Sequence, residues 1–481
     1  MGTEHGDGDA VSPDARLDVR SMLVGVDAPV PTLGGTSVPY VNLDNAASTP
    51  SFTTVVEALD RFLPYYSSVH RGTGYKSRLS TAVYERAREI VGAFVGADPV
   101  RDVVVFTKNT TEAINKLARS LPMPPDSVVL TTTLEHHSND LPWRSRTRTA
   151  HVRARPDGTL DIDHLDHLLE RHAGRVALLA VSGASNVTGV IQPIHVLAEK
   201  VHAAGGRILV DAAQLAPHRP IDMGAHDDRG HVDFLALSAH KMYAPYGSGA
   251  LIGCRDSFRD PPQQPGGGTV EAVGLDDVVW AGLPDREEAG SPNVLGAVAL
   301  ATAMQTLTRL GMDRLVAHET ALAEYTTARL AEVPGLRIYG PRDVTATSKV
   351  AVFAFTLAGV EHGLVAAALG HEHGVGVRSG CFCAHPYVTH LLGLDTSAVD
   401  QWVARTRHGD NWGPRGMVRI SLGCYNTAAD VDHAVAALHR VAAGAMAGTY
   451  QAEPDGSYRA VGSPEPQLFS LDEPSLTSAA W

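Results

Sequence analysis

The chain has 481 residues and a formal net charge of −13, with 44% hydrophobic and 19% charged residues. That length allows two or three domains and a large core. The acidic balance excludes a phosphate-backbone binder, so no nucleic-acid partner is expected. There is no run of 18 or more apolar residues, so no membrane span is expected.

The charge is uneven along the chain. Residues 1–20 carry Glu4, Asp7, Asp9, Asp14 and Asp18 against Arg16 and Arg20. Residues 451–481 carry Glu453, Asp455, Glu465, Asp472 and Glu473 against Arg459. More than half of the excess negative charge therefore sits in two flanks rich in Gly, Pro and Ser, which read as solvated, mobile ends. Tyr458, Leu468, Phe469, Leu471 and Trp481 leave open a reading in which the tail packs on the body or on a partner. The opening MGTEHGDGDA lacks the cationic and apolar regions of a secretory signal. Cys254, Cys381, Cys383 and Cys424 are too few for a disulfide framework. They fit a reducing compartment, and so a cytoplasmic location.

Taken in chain order, β-branched runs alternate with helical stretches. Asp102–Thr107 (DVVVFT) reads as a strand and Thr111–Arg119 as a helix. Ser127–Thr133 and Val176–Ser182 read as strands, and Ile194–Ala204 has helical spacing that stops at Gly205-Gly206. Arg207–Asp211 and Val232–Leu237 are further strands. Such alternation implies βαβ units, an α/β fold and a mainly parallel sheet with helices on both faces. A long helical stretch from about Ser291 to Leu330 leads to a smaller C-terminal domain from about Leu336 to Met446. Strands are expected there near Val350–Thr356 and Val418–Ser421.

Sites in parallel sheets gather at the carboxyl ends of strands. The polar oddities fall there: Thr107–Thr110, Glu135-His136-His137, Ser185-Asn186, Asp211 and Ser238–Lys241. Asp211 is followed by the small Ala212 and Ala213, which leave room for a flat ligand, and its carboxylate suits a protonated ring nitrogen. Lys241 can form a Schiff base with an aldehyde when desolvated. Ser238 and His240 can bind phosphate, and Thr110 and Thr111 open a helix whose free N–H groups favour an anion. Singly, each has a plainer reading: Asp211 as a helix cap, Lys241 as a solvated loop lysine, His136-His137 as a core pair or half a metal site. Together they are the parts that a pyridoxal phosphate (PLP) enzyme needs.

Eleven segments then follow one family's order: Tyr40–Ser48 (YVNLDNAAS), VHRGTG (69–74), NTTEAIN (109–115), LEHHSNDLPW (134–143), SNVTG (185–189) and VDAAQ (210–214). They continue with SAHKMYAPYGSG (238–249), GGGT (266–269), EAGSPN (288–293), RSGCFCAHP (378–386) and RISLGCYNT (419–427). In these the chain resembles the class V aminotransferase superfamily, and within it the cysteine desulfurase and selenocysteine lyase group, from about Val41 to Asp432.

The resemblance implies PLP fold type I: a mainly parallel seven-stranded sheet flanked by helices, with a smaller α+β C-terminal domain. It implies an acidic extension over 1–36, a PLP-binding large domain over 37–300, a helical linker and small domain over 301–446, and an acidic tail over 447–481. Lys241 matches the Schiff-base lysine, Asp211 the partner of the pyridine nitrogen and Gln214 the ligand of the ring hydroxyl. His136 matches the imidazole stacked on the ring. Thr110 or Thr111, with Ser238 and His240, matches the phosphate ligands. Ser291 matches a residue that reaches the phosphate of the neighbouring subunit, which implies a homodimer. Asn186 and Arg419, with Arg378 nearby, match the side that binds an amino-acid carboxylate, for which an arginine fork is suited.

Cys383 falls at the nucleophilic cysteine of the desulfurases, with Arg378 and His385 close enough in sequence to favour its thiolate. The implied reaction removes sulfur from L-cysteine, or a related sulfur or selenium amino acid, through a persulfide on Cys383, and releases alanine. An acceptor protein would then take the sulfur. Desulfurases often carry histidine where this chain has Cys381, whereas molybdenum cofactor sulfurases carry a similar Gly-Cys-Phe-Cys run. The alternative is a PLP-dependent C–S lyase, epimerase or aminotransferase on a larger amino acid, without persulfide. No metal is expected, because Cys381, Cys383 and His385 lack a fourth ligand at standard spacing. One further departure is an insertion of about 30 residues between Pro386 and Arg419, which could cover the site, shape substrate choice or dock an acceptor.

Overall fold

The computed structural model describes residues 19–259, 261–408, 416–454 and 456–464. The larger of its two main sheets has seven strands: β1 (Asp102–Thr107), β2 (Val128–Thr132), β3 (Arg148–Val152), β4 (Val176–Ser182), β5 (Arg207–Asp211), β6 (Phe234–Ser238) and β7 (Gly249–Cys254). Their spatial order is β1-β7-β6-β5-β4-β2-β3. Only β7 runs antiparallel to its neighbours. The mainly parallel α/β reading therefore holds, and β3 and β7 are strands that the sequence pattern did not mark.

The period of two along each strand divides the core into layers. Val103, Val105, Leu178 and Ala180 face one side, where helix α1 (Thr110–Ser120) packs through Ala113, Ile114 and Leu117. Val104, Leu179 and Val181 face the other, against helix α2 (Ile194–Ala203) through Leu197, Ala198 and Val201. Both faces are covered, as expected of a parallel sheet.

The expected long helix is two helices, α3 (Val294–Leu310) and α4 (Met312–Ala331), bent by 78°. The break is Gly311, whose φ of 87° is a conformation that L side chains rarely adopt. Among the described residues no single helix is long and apolar enough to cross a membrane.

Beyond α4 lies an antiparallel sheet of four strands: β8 (Leu336–Tyr339), β9 (Val352–Leu357), β10 (Arg378–Gly380) and β11 (Met417–Ser421), in the order β8-β9-β11-β10. It packs on α4, on α5 (His362–His373) and on α6 (Ala428–Ala442) through Leu322, Val365, Leu369, Val435 and Leu438.

The insertion and the tail both carry structure, which for the start of the tail corrects its reading as a mobile end. In the insertion, the helices His385–Leu391 and Thr396–Arg407 precede residues 409–415, which lie outside the described part. In the tail, strands Tyr450–Ala452 and Tyr458–Ala460 form a hairpin against α5. A side chain at Gly363 would collide there with the Gly456 carbonyl at 2.4 Å. So the tail packs on the body at least as far as this hairpin. Residues 1–18, and Leu468, Phe469, Leu471 and Trp481, lie outside the described residues.

Glu319 of α4 ties the two sheets together. Its carboxylate accepts from Arg219 at 2.8 Å and pairs with His218 at 3.1 Å, both just beyond β5, and accepts the Ala351 N–H at 2.6 Å. Although burial opposes its charge, His218 and Arg219 hold its pKa down to about 2. Glu319→Gln should destabilise the chain by about 3–5 kcal/mol, because it strands a buried guanidinium. A depressed carboxylate stabilises the fold above its unfolded pKa, and that contribution is lost as pH falls through the folded value. Urea unfolding should therefore show a difference between wild type and variant that is full at neutral pH and shrinks from about pH 4 toward pH 2. Equal midpoints at neutral pH would refute the tie.

Candidate active site

A cavity of about 340 Å³ opens at the carboxyl ends of the strands of the large sheet. The strand ends deliver Ser182 (β4), Asp211 (β5) and Ser238 (β6), and the turn after β6 delivers His240 and Lys241. Asn109 caps α1 by accepting from the Glu112 N–H at 2.9 Å, which aims the helix start, with Thr110 and Thr111, at the cavity. The small sheet contributes Arg378, Phe382, Cys383 and Arg419 from the opposite wall. Of the residues matched above to the cofactor, the substrate carboxylate or the sulfur, all line this one cavity except Ser291. Ser291 is exposed and lines a neighbouring hollow with Tyr84, Phe106 and Lys108.

The two threonines separate. Thr110 is buried, and its N–H and Oγ1 both lie 2.8 Å from Ser238 Oγ. Thr111 Oγ1 instead meets Ser138 Oγ at 2.7 Å. Gln214 donates to the Ala46 carbonyl at 2.6 Å, and the Ala213 N–H donates to Asp211 at 3.0 Å.

Burial dominates the electrostatics. It pushes the Asp211 carboxyl up, against the Ala213 N–H and Lys241. It pulls Lys241 down to about 8; Asp211 opposes that shift and Arg419 adds to it. His240 falls to about 4, through burial and then Lys241, and its Nδ1 is buried without a partner. His136 falls to about 3, through burial and then Lys241, and its Nδ1 accepts the Ser138 N–H at 3.1 Å. A neutral His136 with a proton on Nε2 follows.

Arg419 donates to the Asn186 carbonyl at 3.1 Å and to Asp44 at 2.8 Å, while its buried Nε has no partner. Arg378 meets the other Asp44 oxygen at 2.9 Å. Phe382 lies under the Arg419 guanidinium, 5.0 Å from ring centre to carbon. Phe382 and Cys383 both adopt left-handed backbone, with φ of 53° and 54°. Two consecutive non-glycine residues in that region cost of order 1–3 kcal/mol each, and such strain collects at functional sites. It is held by Asn186, which donates to the Phe382 carbonyl at 2.8 Å, and by the His137 N–H, which donates to the Cys383 carbonyl at 2.7 Å.

Cys383 is exposed, whereas burial and the neighbouring Cys383 push the Cys381 thiol up to about 11. Of the two, Cys383 is the accessible thiol. His385 turns toward His137, with Nδ1 2.9 Å from its Nε2, and burial lowers it to about 4. It is neutral at neutral pH and does not serve as the expected cation beside Cys383. The sequence reading gave no role to Asp44, Asn109, Ser138 or Phe382. Asp44 lay within a quoted segment, but nothing local marks it as the bridge between two distant arginines.

The donors suit PLP: a lysine amine for the aldehyde, a carboxylate for a ring nitrogen, and an orphaned imidazole Nδ1 beside hydroxyls and a helix start for a phosphate. Comparison with known proteins agrees with this class. The Aminotransferase class-V family profile matches residues 41–434, and the chain belongs to that family. It is 34% identical over 415 residues to a probable cysteine desulfurase of Streptomyces coelicolor, covering 83% of this chain and 92% of that protein. It is likewise 34% identical over 430 residues to a cysteine desulfurase of Dickeya dadantii, covering 87% and 96%. A probable cysteine desulfurase of Mycolicibacterium paratuberculosis is 36% identical over 417 residues; the match covers 84% of this chain but only 56% of that longer protein. The solved apo cysteine desulfurase of Thermococcus onnurineus superposes with a TM-score of 0.73 at 32% identity, covering 84% of this chain and 95% of that one.

The wall charges give a signed test. Asp211→Asn should move the Lys241 pKa further below about 8, and Arg419→Met should move it up. The pH profile of Lys241 labelling by an amine-selective reagent in the cofactor-free chain reads both shifts. Parallel shifts of the same sign would contradict the assignment.

Proposed function

We propose that this protein is a cysteine desulfurase-type enzyme that moves sulfur from L-cysteine, or a related sulfur or selenium amino acid, to Cys383 and releases alanine. The observation that carries the reading is an exposed thiol, Cys383, on a braced loop in the same cavity as a desolvated Lys241 amine and the buried Arg419.

PLP bound there supplies an electron sink for a carbanion at the substrate Cα. We assign Lys241, Asp211, Gln214 and His136 to the ring, and Ser238, His240 and Thr110 to the phosphate, with Thr111 beside them. Arg419 orients the substrate carboxylate with Asn186, through the Nε that has no partner of its own. Arg378 adds positive charge at the rim. With its pKa near 8, Lys241 is partly neutral at physiological pH and takes the proton from Cα. His136 is the group placed to move a proton at the ring face. The Cys383 thiolate attacks the substrate sulfur: an S–S bond forms, the Cβ–S bond breaks, and its electron pair is protonated at carbon. Cysteine and the Cys383 thiol thus become alanine and a Cys383 persulfide, with no external oxidant or reductant.

In this reading Ser291 completes the phosphate site of a second subunit in a homodimer. The persulfide passes to an acceptor protein, and the working thiol needs a reducing cytoplasm.

Incubation of the PLP-loaded enzyme with L-cysteine should yield alanine, and mass spectrometry should find one added sulfur on Cys383. Lys241→Ala should abolish turnover, and Cys383→Ala should abolish alanine formation while leaving the amino-acid-induced spectral change. Robust turnover by Cys383→Ala, or pyruvate or an inverted or transaminated product in place of alanine, would sink the persulfide role.

A further inference from the structure

At the opposite end of the large sheet from the cavity, three imidazoles, a thiol and two carboxylates converge. Asp102 opens β1 and Cys254 closes β7, directly paired across the sheet. Asp233 immediately precedes β6, His202 lies in the last turn of α2, and His226 and His231 come from the loop between β5 and β6. One nitrogen each of His226 and His231 and the Cys254 sulfur lie within 4.8 Å of one another.

The outer nitrogens set the chemistry. His226 Nε2 lies 3.0 Å from Asp102, which leaves Nδ1 facing Cys254 Sγ at 3.9 Å. His231 Nδ1 donates to the Asp228 carbonyl at 3.0 Å, which leaves Nε2 inward, 3.4 Å from Asp233. His202 Nδ1 donates to the Arg229 carbonyl at 2.7 Å, and its Nε2 faces Asp233 at 2.8 Å. Each ring is thus anchored on its outer side by a carbonyl or carboxylate, as metal-ligating histidines are.

We propose that His226, His231 and Cys254 form a zinc site, with Asp233 or water in the fourth position and Asp102 orienting His226. Two imidazoles with a thiolate suit Zn²⁺ better than a hard cation. Bond lengths of about 2.0 and 2.3 Å put tetrahedral ligands roughly 3.3–3.8 Å apart, so the observed spread closes by small side-chain rotations. Binding releases the Cys254 proton to solvent and involves no redox change. The ion would pin the loop that carries His226 and His231 onto the β1–β7 edge. It is a structural site, a full strand length from Lys241.

The test is zinc alone, titrated into the PLP-loaded chain and counted per chain by elemental analysis after gel filtration, with thermal unfolding alongside. One retained ion and a higher unfolding temperature are expected. His231→Gln and Cys254→Ser should each lose both effects, and Cys383→Ser should keep both. Asp102→Asn should weaken zinc binding about 10–100-fold. No zinc retained by the unsubstituted chain, or retention unchanged in both His231→Gln and Cys254→Ser, overturns the proposal. Cofactor absorbance and circular dichroism matching wild type would show that the variants fold.

Discussion

Arg378 and Arg419 stand directly opposite each other across the β10–β11 pair. Like charges so placed repel, and Arg419 is buried as well. The arrangement stands because Asp44 lies between them, with one oxygen 2.8 Å from Arg419 and the other 2.9 Å from Arg378. Asp44 follows a short strand, Val41–Asn42, that pairs with Val375–Gly376, and it bridges to Ser421 at the end of β11. One carboxylate thereby fixes the small sheet against the segment that passes the floor of the cavity. Through Arg419 the same contact reaches the Asn186 carbonyl and the Phe382 ring, and so the backbone of the Cys383 loop.

That geometry also sets the charge balance inside the cavity. Arg419 adds to the burial that lowers Lys241, while Asp211 works against both. The result is an amine poised near 8, where it can hold or release a proton at physiological pH. A second buried acid lies just behind. Glu135 is enclosed by Ser182 at 2.5 Å, Thr132 at 2.6 Å and Asn139 at 2.7 Å, and burial raises it to about 7. Its network holds the turn that delivers His136 and ties that turn to the end of β4. The wall behind His136 is therefore stiffened by a satisfied polar network and not by apolar packing alone.

Much of this was legible in sequence, for identifiable reasons. β1, β4 and β5 were marked to the residue because their apolar runs end at a polar residue, Thr107, Ser182 and Asp211, of which the last two line the cavity. β7 was missed because it reads GALIGC. Its glycines are required by close approach: a Cβ at Gly249 would lie 2.6 Å from the Leu237 carbonyl, and one at Gly253 would lie 2.4 Å from the Phe234 ring. The contacts that demand glycine also erase the strand signal. β3 was missed as a short, half-exposed edge, RTAHV, with little apolar alternation. Asp44 was invisible as a bridge because its partners lie more than 330 residues away. The cluster at His226, His231 and Cys254 carries no motif, since the loop before β6 and the end of β7 meet only through the β6–β7 pairing.

The insertion departs most from the family pattern, yet it braces the loop that carries Cys383. Trp402, on the helix Thr396–Arg407, lies 4.9 Å from the His385 ring, which stacks on His137 at 4.7 Å. The His137 backbone N–H holds the Cys383 carbonyl. Asn186 holds the preceding carbonyl from the cavity side. The left-handed pair Phe382-Cys383 is thus fixed on both sides, which is what a strained backbone needs to persist. Burial keeps His385 and His137 below the ordinary imidazole range, so the stack sits against the loop as neutral rings and not as a repelling pair of cations. Such bracing keeps an exposed thiol in one place while leaving it open to solvent, the combination that a residue must have if it receives sulfur inside the cavity and passes it on outside.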